Sequence, residues 1–561
     1  MPAAVGYDRF HKYDELTELL RSWADEAPEL LQLESIGKSW EGRDIWLVTV
    51  TALATGPALE KPAFLVEANI HAVEVTGCTA ALHLIHKLLT EYGEDERVTR
   101  CLDTRAFYVL PRLNPDGAEL ALADRPRFVR SSVRPWPRLD PQDGLHEEDI
   151  DGDGRILMMR LPDDNGAWKP HPDEPRLLVR RDPDDGPGGE YYRLLWEGMI
   201  TNYDGATIKV APPLEGLDLN RNFPFEWTTE SEQRGAGPYP TSEPEIRAMV
   251  QAVVDRPNIT GHVAYHTFSG VHLRPYAGYP DEHFPPNDLR TYKLLGEEAT
   301  KLTGYPAVSV YHDFKYEPKE SIRGSAHDWL YDHVGVFSWT TEFWSPQRQA
   351  GIEEYQFIEW LRDHTAEDDL KLLRWADSEL DGGGYVEWYP YEHPQLGPVE
   401  LGGWDVAASW ANVPFKFLEA EIAPHSEWAV WHLLVSPLLA IRSLDVEALG
   451  GGRHLVRLVL ENTGWLPTYV SQRAVERKAV RPIEVELTLP EGARVVAGEP
   501  KLEAGELEGR VHLRSALWWG TDQGTSDRAK LEWVVEAPEG GTLGIEARHD
   551  RAGVVRREML L

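Results

Sequence analysis

A histidine and a glutamate three residues apart follow one of the most apolar segments of the chain. The segment "AFLVEAN" is typical of a buried strand, and "IHAVEVTG" comes next with His71 and Glu74. In a turn or a first helical turn, this spacing can direct both side chains to one point. Imidazole nitrogen and carboxylate oxygen are ligands that Zn²⁺ accepts. Alone the pair is weak evidence for a metal, because the chain has 20 histidines and 93 acidic residues.

A catalytic zinc site needs a third protein ligand, and the water it activates needs a base. His266 lies toward the end of the predicted strand in "GHVAYHTFSG", and Glu342 ends "GVFSWTTE". Taken singly, His266 is more typical of a core histidine and Glu342 of a solvated strand end. The first pair, however, lies between a strand and a helix, where open α/β sheets bind their ligands, and this context favours a metal site.

The elements that must position these residues alternate between strands and helices. Strand patterns occur at 43–53, 63–69 and 105–111, and "GCTAALHLIHKLLTEY" has the apolar spacing of a helix. We therefore predict an α/β domain with helices on both faces of its sheet. Residues 131–213 interrupt the alternation with Pro, Asp and Gly, and we interpret them as an insertion.

The last 120 residues have a different pattern. From about residue 441, apolar and polar residues alternate strictly, for example at 483–489 and 531–535, and turn motifs separate the runs. We predict an α/β domain over 1–440 and a small all-β sandwich over 441–561. The sequence does not reveal the role of the sandwich. Packing or dimerisation is favoured over binding of a substrate carrier, and the oligomeric state stays open.

Composition excludes several classes of function. The 561 residues include 93 acidic and 57 basic residues, a net charge of -36, which disfavours nucleic acid and anionic membranes as partners. Two cysteines, Cys78 and Cys101, are too few for a disulfide framework. The first residues lack the pattern of a signal peptide, and no apolar run is long enough to span a bilayer. We expect a soluble cytoplasmic enzyme.

An ordered series of motifs resembles the zinc metallocarboxypeptidases related to pancreatic carboxypeptidase A. The series covers about residues 7–435 and consists of "GRDIW", "NIHAVEVTG", "LNPDG", "DLNRNFP", "GPYPTSEPE", "AYHTFSG" and "GSAHDWLYDHVGVFSWTTEFW". The resemblance implies a mixed sheet, one catalytic Zn²⁺, and hydrolysis of the C-terminal peptide bond of peptides that have a free C-terminal carboxylate.

The resemblance also implies roles for individual residues. His71, Glu74 and His266 match the zinc ligands, and Glu342 matches the catalytic glutamate that acts as general base and acid. The other matched residues surround the ligands: Asn220 and Arg221 for binding the terminal carboxylate, Asp218 for orienting a ligating histidine, and Arg130 for stabilising the oxyanion, with Arg127 as the alternative to Arg130.

Two positions depart from the digestive members of the family. The position that lines their specificity pocket is His327 here, where they have an aliphatic or an acidic residue. Their mobile tyrosine, which covers the substrate, corresponds to Glu320, although Tyr316 lies nearby. The preferred C-terminal residue therefore cannot be inferred from the resemblance.

The predicted insertion contains an acidic loop, "DIDGDGRI". Asp149, Asp151 and Asp153 at alternate positions resemble the first half of a calcium-binding EF-hand loop. Arg160 lies where that loop has a bidentate glutamate. Ca²⁺ binding is one interpretation, and an acidic turn that bonds only to local backbone is the other.

Two further functions remain open on the sequence alone. A zinc amidase that cleaves N-acyl amino acids or cell-wall γ-glutamyl peptides would use the same ligands, and His327 keeps this alternative open. A non-catalytic peptide-binding protein would not need Glu342 as a general base, so this alternative is disfavoured.

Overall fold

The computed structural model describes residues 2–561 except 317–318, 320, 354, 514–523 and 539. Its largest sheet has eight strands among the described residues. Parallel and antiparallel neighbours both occur, so the sheet is mixed, as predicted. In spatial order the strands are Leu31–Lys38, Asp44–Val50, Ala106–Leu110, Ala63–Ala68, Ile259–Thr267, Phe337–Phe343, Val271–Arg274 and Ala307–Ser309.

Helices cover this sheet. Every residue of Ala63–Ala68 and of Ile259–Thr267 is buried, and side chains alternate between the faces of a strand, so both faces are covered. This agrees with the predicted α/β class. The α-helices are Tyr13–Glu26, Thr76–Glu91, Glu96–Thr104, Pro115–Ala121, Pro244–Val254, Pro286–Thr303, Val310–Asp313, Ala326–Trp329, Pro346–Gln349, Phe357–Arg362, Ala366–Glu379, Val406–Ser409, Phe415–Leu434 and Gln472–Arg477.

The predicted insertion is more ordered than its composition indicates. Its strands Gly144–Glu147 and Gly198–Thr201 form a two-stranded sheet. A second sheet joins the insertion to a hairpin more than 180 residues further along the chain, which a sequence pattern could not indicate. In spatial order it contains Tyr385–His393, Gly397–Trp404, Met158–Pro162, Tyr192–Trp196, Trp168–Pro170 and Leu178–Arg180.

The C-terminal region is all β apart from one short helix, as far as the structure describes it. Residues at alternate positions of several strands, for example Val456, Ile483 and Trp533, belong to one buried core. This confirms the predicted sandwich. Its two sheets contain Leu439–Gly450, Arg453–Asn462, Arg528–Glu536 and Arg494–Ala497, and Lys501–Gly505, Ile483–Thr488, Thr542–His549 and Gly553–Leu560.

The described residues include no helix that is long and apolar enough to cross a membrane.

Candidate metal centre

Two adjacent parallel strands bring His71, Glu74 and His266 to the same edge of the main sheet. Ala63–Ala68 ends just before the first two residues, and Ile259–Thr267 carries the third near its end. The carboxyl ends of parallel strands meet at one edge, as the sequence pattern predicts. The turn after the first strand is fixed by the buried Asn69, whose amide donates to the His71 carbonyl oxygen at 2.8 Å.

The three side chains converge through specific atoms. His71 Nδ1 lies 2.8 Å from Glu74 Oε1, and His266 Nδ1 lies 3.1 Å from Glu74 Oε2 and 3.1 Å from His71 Nδ1. All three residues are buried. Burial favours a neutral acid, but His71 and His266 lower the pKa of Glu74 below its usual range, so its carboxylate stays charged. Two imidazole nitrogens and one carboxylate are a ligand set of catalytic zinc, and this group of residues fits that ion.

Asp218 orients the first histidine. Its Oδ1 lies 3.2 Å from His71 Nε2, and Arg130 Nε donates to its Oδ2 at 3.0 Å. Burial opposes the charge on Asp218, but Arg221 and Arg130 hold its pKa well below the usual range. A carboxylate can only accept, so Asp218 favours the tautomer of His71 with the proton on Nε2. In that tautomer Nδ1, the nitrogen that faces Glu74 and His266, is free to bind a metal ion.

Glu342 lies next to His266 because of strand register. In the parallel pair of Ile259–Thr267 with Phe337–Phe343, these two residues are direct partners. Glu342 is buried, and burial raises its pKa well above that of an ordinary carboxyl group. The Glu74 carboxylate raises this pKa further, whereas Arg130 lowers it. A carboxyl group with a raised pKa beside a ligand cluster is suited to proton transfer.

The two candidate arginines of the 125–130 loop separate in space. Arg130 contacts Asp218, and its Nη1 lies 3.5 Å from Glu74 Oε1, while 44% of its side chain remains exposed toward the cleft. Arg127 points away and pairs with Glu215 at 2.8 Å. Only Arg130 of these two therefore lies at the ligand cluster.

Asn220 and Arg221 lie on the short turn Leu219–Arg221, close to the same cluster. Asn220 Oδ1 accepts from the Ala326 backbone N–H at 2.9 Å, so the orientation of its amide is fixed. Arg221 is buried, its Nη1 donates to the Asn220 carbonyl oxygen at 2.9 Å, and it lies 3.8 Å from Asp218 Oδ2. A guanidinium and a primary amide thus lie side by side, as carboxylate binding requires.

His327, the residue predicted to line the specificity pocket, is buried. Its Nδ1 lies 3.2 Å from the Thr340 hydroxyl oxygen, and its Nε2 lies 3.3 Å from Asp328 Oδ1. Burial lowers the pKa of His327 to about 3, and the charges of His266 and Arg221 lower it as well, so the ring is neutral at pH 7. This position therefore carries a neutral polar group.

Comparison with known proteins assigns this chain to a family. The family model described as zinc carboxypeptidase matches residues 16–144 and 183–363, more than half of the chain. The chain belongs to the zinc carboxypeptidase family. The gap in the match lies within the predicted insertion. A second model, described as a domain of unknown function, matches residues 438–559.

Relatives of this chain match it over different lengths. Carboxypeptidase M of Mus musculus is 32% identical over 120 residues, 21% of this chain and 27% of the relative. Carboxypeptidase B of Astacus astacus is 23% identical over 346 residues, 60% of this chain and 87% of the relative. The zinc carboxypeptidase of Saccharothrix mutabilis subsp. capreolus matches over 29% of its length. The chain thus spans less than a third of the length of carboxypeptidase M and of the Saccharothrix zinc carboxypeptidase.

Solved structures are similar to the chain at low sequence identity. Carboxypeptidase A from Helicoverpa armigera has a TM-score of 0.40 and 19% identity, covering 68% of this chain and 77% of that chain. Thrombin activatable fibrinolysis inhibitor has a TM-score of 0.40 and 17% identity, covering 67% and 76%.

Tyr316, which the sequence analysis considered as a covering residue, interacts electrostatically with charged groups of the site. Its side chain is 46% exposed, so only part of it is withdrawn from water. Partial loss of solvent and the Glu342 carboxylate raise the pKa of Tyr316 to about 12, whereas the charges of Arg130 and Arg221 lower it. Glu320, the other residue considered at this position, lies outside the described residues.

Sequence reasoning missed a residue that fixes the ligand turn. Asn412 Oδ1 accepts from the Thr76 backbone N–H at 3.0 Å, and Asn412 Nδ2 donates to the Val73 carbonyl oxygen at 2.8 Å. These bonds hold the segment on both sides of Glu74. No local motif marks this asparagine, because its partners are more than 330 residues away in sequence.

The acidic loop of the insertion differs from the prediction. Asp149 and Asp151 approach each other, but the third member of the cluster is the buried Glu197, which the sequence analysis did not select. Asp153 is not part of the cluster, and its carboxylate pairs with Arg155 at 2.6 Å. Glu197 also accepts from two loop backbone N–H groups, at 2.7 and 2.9 Å. Calcium binding stays a prediction for this loop.

Proposed function

We propose that this chain is a zinc-dependent carboxypeptidase that removes the C-terminal residue of peptides with a free terminal carboxylate. The observation that carries the proposal is the direct pairing of Glu342 with His266 in register, beside two imidazole nitrogens and a carboxylate that converge on one point. A metal ligand set with a carboxyl group of raised pKa next to it is the minimum apparatus for hydrolysis by an activated water.

Each step of the proposed reaction uses a described residue. When bound by His71, Glu74 and His266, zinc supplies a Lewis acid at the scissile carbonyl. Glu342 accepts a proton from the attacking water and donates it to the departing amine, so the proton is conserved. Arg130, which is partly exposed in the cleft, donates hydrogen bonds to the oxyanion that forms.

Asn220 and Arg221 restrict the reaction to chain ends. Their amide and guanidinium groups donate to the terminal carboxylate, and Arg221 is buried at 8% exposure. A substrate without this carboxylate would leave a buried cation without its anion, so amidated peptides should be poor substrates.

A cavity beside Arg130 supports peptides as substrates over N-acyl amino acids. It has a volume of about 610 Å³ and lies between the 125–130 loop and the insertion, which contributes Leu145, Glu148 and Pro213. A small acyl group would not need this volume, whereas several residues on the amino side of the scissile bond would occupy it.

Zinc dependence gives the first test. We expect about one zinc per chain in purified protein. Dialysis against a chelator should abolish hydrolysis of a blocked dipeptide, and one equivalent of Zn²⁺ should restore it. His266→Ala should bind less zinc, whereas replacement of the buried but distant His432 by glutamine should leave zinc content unchanged. Full activity in metal-free protein would refute the proposal.

The acidic loop adds a second cation to the proposal. If Asp149, Asp151 and Glu197 bind Ca²⁺, 1 mM CaCl₂ should raise the melting temperature of zinc-loaded protein, because an ion that binds only the folded state stabilises it. Asp151→Asn should remove the increase, and Asp153→Asn should retain it. An equal melting temperature with and without calcium would leave the loop as an acidic turn held by backbone N–H groups.

A further inference from the structure

One helix links the proposed substrate pocket to the C-terminal region. It begins as Ala326–Trp329 and continues as a wider π-type turn over Leu330–Val334. Its first residue donates its backbone N–H to Asn220, and its second residue is His327. We call residues 326–334 the pocket helix. Its first turn therefore contacts the group proposed to bind the substrate carboxylate.

The segment before the pocket helix packs tightly on Arg221. Gly324 has a φ of +69°, and a Cβ atom there would lie 2.3 Å from the Arg221 carbonyl oxygen. The Phe223 N–H donates to the Gly324 carbonyl oxygen at 3.0 Å. A displacement of the pocket helix would therefore displace Asn220 and Arg221 as well.

The other end of the pocket helix is held by the C-terminal region. Arg551, which is buried at 2% exposure, donates through Nη1 to the Gly335 carbonyl oxygen at 3.1 Å and through Nη2 to the Val334 carbonyl oxygen. The Ser471 hydroxyl also donates to the Gly335 carbonyl oxygen, at 2.7 Å. A cation at the last carbonyls of a helix satisfies their hydrogen bonds and stabilises the negative end of the helix dipole.

The middle of the pocket helix carries a buried carboxylate that faces both regions. Asp332 is fully buried, pairs with Arg477 of the C-terminal region, and lies 3.7 Å from Arg473. Its Oδ2 accepts from the Tyr276 hydroxyl at 2.8 Å. The next residue, Ala277, donates its N–H to Asp328 on the pocket helix. Asp332 thus connects arginines of the C-terminal region to Tyr276. The neighbouring Ala277 bonds Asp328, whose Oδ1 lies 3.3 Å from His327 Nε2.

Further contacts join the C-terminal region to the pocket helix and to the helix Pro286–Thr303. Asp288, on the helix Pro286–Thr303, accepts from the Gln472 and Arg473 backbone N–H groups at 2.8 and 3.0 Å. It also accepts from the hydroxyl of Tyr331 on the pocket helix at 2.9 Å. Leu466, Val470 and Val511 of the C-terminal region belong to the main buried core together with Trp329, Leu330 and Tyr331.

We propose that the C-terminal region positions the substrate pocket of the carboxypeptidase through the pocket helix. Arg551 and Arg477 are positioning residues in this proposal, because they contact the helix and act on Asn220, Arg221 and His327 through it. The proposal rests on the proposed function for its effect on substrates. It gives the C-terminal sandwich a role in the pocket, beyond packing alone.

Arg477→Ala tests the proposal, because it leaves the buried Asp332 without its closest cation. We expect KM for a peptide with a free C-terminus to rise about fivefold, with kcat within about twofold. The kcat/KM ratio between two peptides that differ only in their last residue should also change. Arg477→Lys, which keeps the charge, should have a KM and a kcat/KM ratio close to those of the parent. Arg457→Ala is the matched control, because it removes an ion pair to Glu532 within the sandwich.

Hydrogen exchange measured by mass spectrometry tests the positioning role even if the protein hydrolyses no peptide. Arg477→Ala and the more severe Arg551→Lys should increase exchange in residues 218–223 and 324–335, and Arg457→Ala should not. A lower melting temperature with unchanged exchange in 218–223 and unchanged KM would overturn the positioning role. If the parent protein hydrolyses no peptide while the exchange pattern appears as expected, the proposed function fails and the structural linkage stands.

Discussion

Glu342→Gln should lower kcat by about 10³-fold, within the range of general acid–base catalysis. The amide is nearly the same size as the carboxylate, but it cannot accept a proton from water or deliver one to the amine. Because His71, Glu74 and His266 are unchanged, the variant should bind zinc as the parent does. KM for a short peptide should change little, because the substitution leaves the carboxylate-binding pair in place.

The control for this variant is Glu297→Gln, at an exposed position on the helix Pro286–Thr303. Its kcat should equal that of the parent. Steady-state kinetics on the same peptide, with zinc content measured by atomic spectrometry, compares the three proteins. Parental kcat in Glu342→Gln at full zinc content would contradict the proposed mechanism.

Arg221→Ala should lower kcat/KM for peptides with a free C-terminus by about 10²-fold, since loss of one partner of a buried charge pair costs roughly 2–5 kcal/mol. The guanidinium is buried next to Asn220, so solvent does not replace it. The parent should hydrolyse the same peptide with an amidated C-terminus slowly, and Arg221→Ala should lower kcat/KM for that peptide much less. The preference for free over amidated termini should therefore shrink.

Arg221→Lys should retain part of this preference, because lysine keeps the charge but loses the bidentate geometry. Arg234→Ala, at an exposed position, should retain all of it. The measurement is kcat/KM on paired free and amidated peptides for each protein. An unchanged preference in Arg221→Ala would show that another group binds the terminal carboxylate.

The sequence predicts the main sheet and the ligand cluster because both depend on local signals. Buried strands are marked by apolar runs, and His71, Glu74, His266 and Glu342 each lie at or just after the end of such a run. Parallel strands bring those ends to one edge. The register that pairs His266 with Glu342 is not encoded in either strand alone, and it became visible only in the structure.

Contacts between distant segments are what the sequence could not indicate. Asn412 has no motif around it, although it fixes the turn that carries Glu74. The acidic cluster contains Glu197 instead of the predicted Asp153, which pairs with Arg155. Glu197 is more than 40 residues from Asp151 in sequence, so no local motif includes it. Arg551 and Asp332 are ordinary charged residues in sequence, and their burial at the pocket helix depends on how the two regions dock.

The most direct test of the central claim is to follow, by mass spectrometry over time, how zinc-loaded protein cleaves a mixed pool of peptides with free and amidated C-termini. The proposed function predicts stepwise loss of single residues from free C-termini, with amidated peptides intact. The same data would reveal which terminal residues the pocket with His327 accepts. Intact peptides at full zinc content, together with hydrolysis of N-acyl amino acids or cell-wall peptides, would contradict a carboxypeptidase and indicate an amidase.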